Sequence, residues 1–83
     1  MRPDEFRALL RRRPFDPFTV HLTTGARFEV RDARLAVVGR SIVWLEQGLP
    51  NHPIPIATRR IAISLLHIVW IELIEDAEQH QRN

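Results

Sequence analysis

The chain has no cysteine, and this absence removes disulfides, thiol catalysis and cysteine-ligated zinc together. It has no lysine and no tyrosine either, so all twelve basic residues are arginine. Nothing then titrates between an α-amino group and arginine, and a net charge of only +2 is enough to push the isoelectric point to 11.0. That value does not describe a strongly basic protein. No apolar run approaches the roughly 18–20 residues of a membrane span. Met1-Arg-Pro-Asp-Glu5 is not followed by an apolar stretch, so a secretory signal is not expected and a cytoplasmic protein is. Gly-x-x-x-x-Gly-Lys and Gly-x-Ser-x-Gly are both missing, which leaves no phosphate loop and no nucleophile elbow.

What remains is an 83-residue chain with 45% hydrophobic and 27% charged residues, a globular composition. Its size fits a single domain, 1–83, with a thin core. A small domain without staples often takes stability from a partner chain. Residues 1–40 carry nine arginines and five acids, and residues 41–83 carry three arginines and five acids. The first half is thus +4 and the second −2, a mild dipole rather than a nucleic-acid tail.

The first pattern is helical. Phe6, Leu9 and Leu10 form one apolar stripe, Pro3 suits a first turn, and Asp4 and Glu5 suit its positive end. A helix is expected over about 4–12, closed by Arg11, Arg12 and Arg13 and stopped by Pro14. Phe15 and Phe18 are the expected anchors of the stiff Pro-Phe-Asp-Pro-Phe connector. From Phe18 the period becomes two. Phe18, Val20 and Leu22 alternate with polar residues, Thr24-Gly25 is a turn, and Phe28 and Val30 continue the alternation, which predicts a hairpin. Leu35–Val38 and Ile42–Leu45 flank a second turn at Gly39-Arg40-Ser41. A proline-rich loop is expected at 48–55, strands at 56–64 and 68–73 with a break at Leu65-Leu66-His67, and a polar tail at 74–83.

Ile42-Val-Trp-Leu45 and Ile68-Val-Trp-Ile71 are apolar on both faces, where a strand of a small monomeric barrel shows one wet face. No proline or charge interrupts Ile68–Ile71. Natural edge strands carry such guards. A homo-oligomer is therefore expected, with Trp44, Ile68, Val69, Trp70 and Ile71 at the contact.

The fold class these elements imply is mainly β: a small five-stranded barrel over about 18–73 with an N-terminal helix. Val20-His-Leu22-Thr-Thr-Gly25 resembles the first motif of Sm-like (SH3-like barrel) proteins. Ile61-Ala-Ile63-Ser-Leu-Leu-His-Ile68-Val-Trp-Ile71 is similar in spacing to the second. Arg11-Arg12-Arg13 falls where the bacterial host-factor RNA chaperone of that superfamily has a rim arginine patch. The helix and Pro-Phe-x-Pro-Phe connector also resemble short uncharacterised proteins of planctomycete-type bacteria. The resemblance implies an Sm-like barrel and a ring in which edge strands of neighbours pair. It does not imply the family's uridine pocket. Where relatives have Arg-Gly or Lys-His, this chain has Ser64-Leu65 or Leu65-Leu66, and leucine offers a base or phosphate nothing.

The remaining chemistry is sparse. His21, His52, His67 and His80 include no close pair of the kind zinc sites use. Glu72, Glu75, Asp76 and Glu78 lie near the end of the chain and read as solvated. Trp44 and Trp70 could stack on bases, but their apolar neighbours favour core or interface. No catalytic residue, metal, cofactor, membrane contact or small-molecule substrate is assigned. The expected function is a non-enzymatic, self-associating module with a structural or protein-interaction role. The second reading is a weak RNA-binding ring using Arg11, Arg12 and Arg13.

Overall fold

The computed structural model describes residues 1–48 and 58–74. Helix α1 spans Pro3–Arg11, one residue earlier at each end than the apolar stripe predicts. The Glu5 carboxylate accepts the Arg2 backbone N–H at 2.8 Å, which fixes the start. Arg12 has already left the helix, with φ −60 and ψ 139. Strands follow at β1 (Phe18–Leu22), β2 (Arg27–Val30), β3 (Ala36–Val38), β4 (Ile42–Gly48), β5 (Thr58–Ser64) and β6 (Ile68–Leu73). Short 3-10 turns at Ala33–Leu35 and Leu65–His67 lead into β3 and β6. The expected break at Leu65-Leu66-His67 is the second of these. The loop and tail expected at 48–55 and 74–83 lie outside the described residues, apart from Gly48 and Ile74.

The six strands form two antiparallel three-stranded sheets, β2-β1-β6 and β3-β4-β5. No closed barrel ladder is present among the described residues: β2 does not pair with β3, nor β5 with β6. Between β2 and β3, Asp32 accepts the Arg34 backbone N–H at 2.9 Å and caps the 3-10 turn. The hairpin between β1 and β2 turns at Gly25, whose φ of +90 suits glycine and strains any other residue.

Strand period two makes the core. Val43 and Leu45 point inward from β4, with Ile63 opposite Val43 and Trp44 on the outer face. Phe18 and Val20 do the same from β1 beside Val30 and Ile68. Helix α1 is held at one end of this core by Phe6, whose ring meets Phe18 edge-on at 5.5 Å. Phe15 tilts against Phe18 at 6.0 Å, as expected of the connector anchors. Leu9 and Leu10 are only half-buried. The Met1 ammonium reaches the Leu65 carbonyl at 3.0 Å and ties the N-terminus to the turn before β6. None of the described helices is long and apolar enough to cross a membrane.

Thr19 departs from the expected wet face of β1: it is only 6% exposed, flanked in register by Glu29 and Glu72. Phe6, at 0% exposure, is the helix's main anchor. Phe6→Ala should therefore destabilise the fold by about 3–5 kcal/mol, and Leu9→Ala by clearly less. Thermal or urea unfolding checks the order, and equal losses would contradict the packing described.

Candidate functional site at the β6 edge

β5 and β6 are edge strands, seven and six residues long, while the other two edges, β2 and β3, have four and three. Among the described residues neither β5 nor β6 has a second partner. The register between β1 and β6 breaks near its start. His21 opposes Trp70, yet Leu22 opposes Ile68, so Val69 has no direct partner and sits in a bulge. The expected absence of a guard over Ile68–Ile71 holds for charge and proline but not for geometry. A bulge is itself a way to blunt an edge. Of the expected contact residues, Ile68 faces the core and Ile71 is half-buried, while Val69, Trp70 and Trp44 are exposed.

On the outer face of this sheet, Arg27, His21 and Trp70 stand in one row across β2, β1 and β6. Glu29, Thr19 and Glu72 form the next. The His21 and Trp70 rings stack at 3.7 Å, nearly parallel at 5°. His21 Nε2 lies 2.9 Å from Glu72 Oε1, and the imidazole is the donor to the ionised carboxylate. The stack and the hydrogen bond together fix the indole. One of its faces is covered by His21. Trp70 as a whole is 51% exposed.

The second exposed apolar surface is the outer face of the other sheet. Val37 and Trp44 are cross-strand partners there, and both are exposed. A cleft of about 310 Å³ is lined by Arg34, Leu35, Val37, Trp44, Glu46 and Arg60. Its rim charges are matched within the chain: Arg34 Nη2 is 2.7 Å from Asp32 Oδ2, and Arg60 Nη2 is 3.5 Å from Glu46 Oε1.

Arg11, Arg12 and Arg13 are all exposed, and two of them make local contacts. Arg11 ends the helix and is exposed. Arg12 Nε lies 3.6 Å from Asp16 Oδ2. The Arg13 guanidinium donates to the Leu10 and Arg12 carbonyls at 3.1 and 2.8 Å. Of the two described histidines, His21 serves Trp70 and Glu72, while His67 Nδ1 lies 3.4 Å from the Thr23 hydroxyl. Among the described residues no three His, Asp or Glu side chains gather as a metal site would require.

Comparison with family models, curated proteins and solved structures finds no match to this chain. The geometry itself must then carry the functional reading. Among the described residues it offers two exposed apolar surfaces, one on a sheet face and one at a sheet edge, and a polar cleft of about 600 Å³ lined by Arg27, Glu29, Arg59 and Glu72 among others. Sequence pattern located both tryptophans. It missed the His21–Trp70–Glu72 cluster, because His21 lies 51 residues before Glu72 and meets it only through the β1–β6 register.

Asp32 supplies a pH test of this geometry. Its side chain receives the Arg34 guanidinium first and the Arg34 backbone N–H second, and these hold its pKa at about 2 against an ordinary 3.8. A depressed carboxyl contributes stability above its unfolded pKa and loses it as pH falls through the folded one. The stability contributed by the Asp32 contact should thus be complete above pH 3.8 and decline as pH falls from there through about 2, where the folded carboxylate is half protonated. Carboxyl NMR should place the Asp32 midpoint near 2, and Arg34→Ala should return it towards 3.8. An ordinary midpoint in the wild type would show that the Asp32–Arg34 contact does not form in solution.

Proposed function

We propose that this chain is a non-enzymatic, self-associating module of Sm-like architecture, with a structural or protein-interaction role. In that reading β2 and β3 are two halves of one bent strand, interrupted by the Asp32 turn, and the two sheets are the two halves of one small barrel. The observation that carries the self-association is the pair of long edge strands, β5 and β6, the second of which presents exposed Val69, Trp70 and Leu73. Exposed edge hydrogen-bonding groups beside exposed apolar side chains favour pairing with another strand. A second copy supplies such a strand in every solution of the protein.

Phosphate binding by Arg11, Arg12 and Arg13 draws less support, since Arg12 and Arg13 already have local acceptors. RNA binding through this run would show a steep salt dependence, lost when all three are changed to Gln.

The wild type should run as a defined oligomer in light scattering at micromolar concentration. Val69→Glu should run near the chain mass of 9.7 kDa with its melting temperature largely kept, because Val69 is exposed within the protomer. A wild-type monomer would refute the proposal.

A further inference from the structure

A row of polar residues crosses the seam between the two sheets. Glu72, Thr19 and Glu29 stand in register across β6, β1 and β2, and Gln47 and Arg59 do so across β4 and β5. Gln47 Nε2 donates to the Glu29 carbonyl at 3.0 Å and joins the two halves of the row. The Ile74 backbone N–H donates to the Pro17 carbonyl at 3.0 Å and ties down the end of β6. All five residues of the row line the cleft of about 600 Å³, and Arg27 of β2 adds a second guanidinium to it. That volume is ordinary for a small-molecule site, but so polar a wall is not, and it selects for a charged ligand.

The charges of this cleft are only partly used. Arg7, Arg12, Arg34 and Arg60 each face a carboxylate of this chain. Arg27 and Arg59 come from different sheets, open on the same cleft, and make no hydrogen bond or ion pair among the described residues. Glu72 and Glu29 are each hydrogen-bonded through Oε1, to His21 at 2.9 Å and Arg31 at 3.0 Å, which leaves a second oxygen to accept. His21 is itself stacked on Trp70, so Glu72 is set in place before any ligand arrives. Thr19 is the one buried residue of the lining. Its hydroxyl has no partner among the described residues, yet no fully buried side-chain oxygen is left unsatisfied there, so this hydroxyl still reaches solvent. A buried threonine on the outer face of β1, with its hydroxyl open to a cleft, is what a binding site needs at its base.

We propose that this cleft binds a small zwitterion, with carboxylate and ammonium in one molecule, as in a free amino acid or a short peptide. A simple anion meets repulsion from Glu29 and Glu72, and a simple cation meets it from Arg27 and Arg59. A ligand of both signs complements the whole lining. Arg27 and Arg59 receive the carboxylate, Glu72 and Glu29 accept from the ammonium, and Thr19 adds a neutral hydrogen bond. Phe28, Leu73 and Ile74 leave an apolar part of the wall for hydrocarbon. The site lies within one protomer and does not rest on the self-association proposed above.

Titration of the full chain, followed by its backbone amide NMR signals, tests this with leucine and with glycyl-leucine. At least one should give saturable shifts centred on Thr19, Glu29 and Glu72, with a dissociation constant in the millimolar range or tighter. The tighter of the two tells a free amino acid from a peptide as the source of the zwitterion. N-acetyl-leucine, which lacks the ammonium, leucinamide, which lacks the carboxylate, and inorganic phosphate should each bind roughly tenfold more weakly or worse. Arg27→Gln and Arg59→Gln should each weaken binding by roughly tenfold, and Thr19→Val should weaken it as well. The same spectra report whether a variant is folded. If Thr19→Val is not, the two arginine variants decide, since both side chains are exposed. Absence of saturable shifts with both zwitterions, binding of N-acetyl-leucine or phosphate as tight as theirs, or unchanged affinity in both arginine variants would overturn the proposal.

Discussion

Two three-stranded sheets have four edges, and this constraint shapes the molecule. Only β1 and β4 are paired on both sides among the described residues. They also supply four of the most deeply buried side chains, Phe18, Val20, Val43 and Leu45. Every other strand has an edge to manage. β3 is three residues long, and its end is approached by α1, where an Arg7 Nη2 donates to the Val38 carbonyl at 3.3 Å. β2 is four residues long and carries Arg27 and Glu29, charges of both signs. Shortness and charge are ordinary ways to protect an edge. β5 and β6 are treated differently: each is longer, and each carries charge of one sign only.

The arginines divide along the same line. Most described guanidinium contacts are local: Arg7 with Asp4, Arg12 with Asp16, Arg34 with Asp32 and Arg31 with Glu29. Exposed pairs of this kind contribute little to stability, typically about 0–1 kcal/mol. They do occupy four of the nine arginines of residues 1–40 locally, leaving that half's net +4 unchanged. An arginine count thus overstates what is available to a phosphate backbone.

The elements themselves were legible in the sequence because each rests on local periodicity. The stripe Phe6, Leu9 and Leu10 gave the helix, alternation from Phe18 gave the first hairpin, and Gly25 and Gly39 marked turns. Apolar runs around Trp44 and Trp70 pointed to two surfaces needing cover, and both tryptophans are exposed. Three features were hidden. Thr19 looked wet, but burial there depends on the flanking strands β2 and β6 rather than on its own pattern. The bulge at Val69 is a property of the pairing between β1 and β6, which no single strand encodes. The partnership of His21 with Trp70 and Glu72 arises from that same register. Periodicity says which face a residue takes, not which distant residue will stand beside it.

The bulge and the cluster are connected physically. Had β6 run without the bulge, the register that sets Ile68 against Leu22 would continue and place Val69, not Trp70, opposite His21. Trp70 would then lie on the core-facing side with Val20 and Phe18, since a one-residue slip exchanges the two faces of a strand. The core end of β6 can keep Ile68 buried, and its outer end can keep Trp70 outward, only because one residue is taken up between them. The same residue that protects the start of the edge therefore exposes the indole further along it. An edge made only to be avoided would have no reason to present a tryptophan held in place by a histidine and a carboxylate. Protection at Val69 and the outward setting of Trp70 thus both follow from the one register break between β1 and β6.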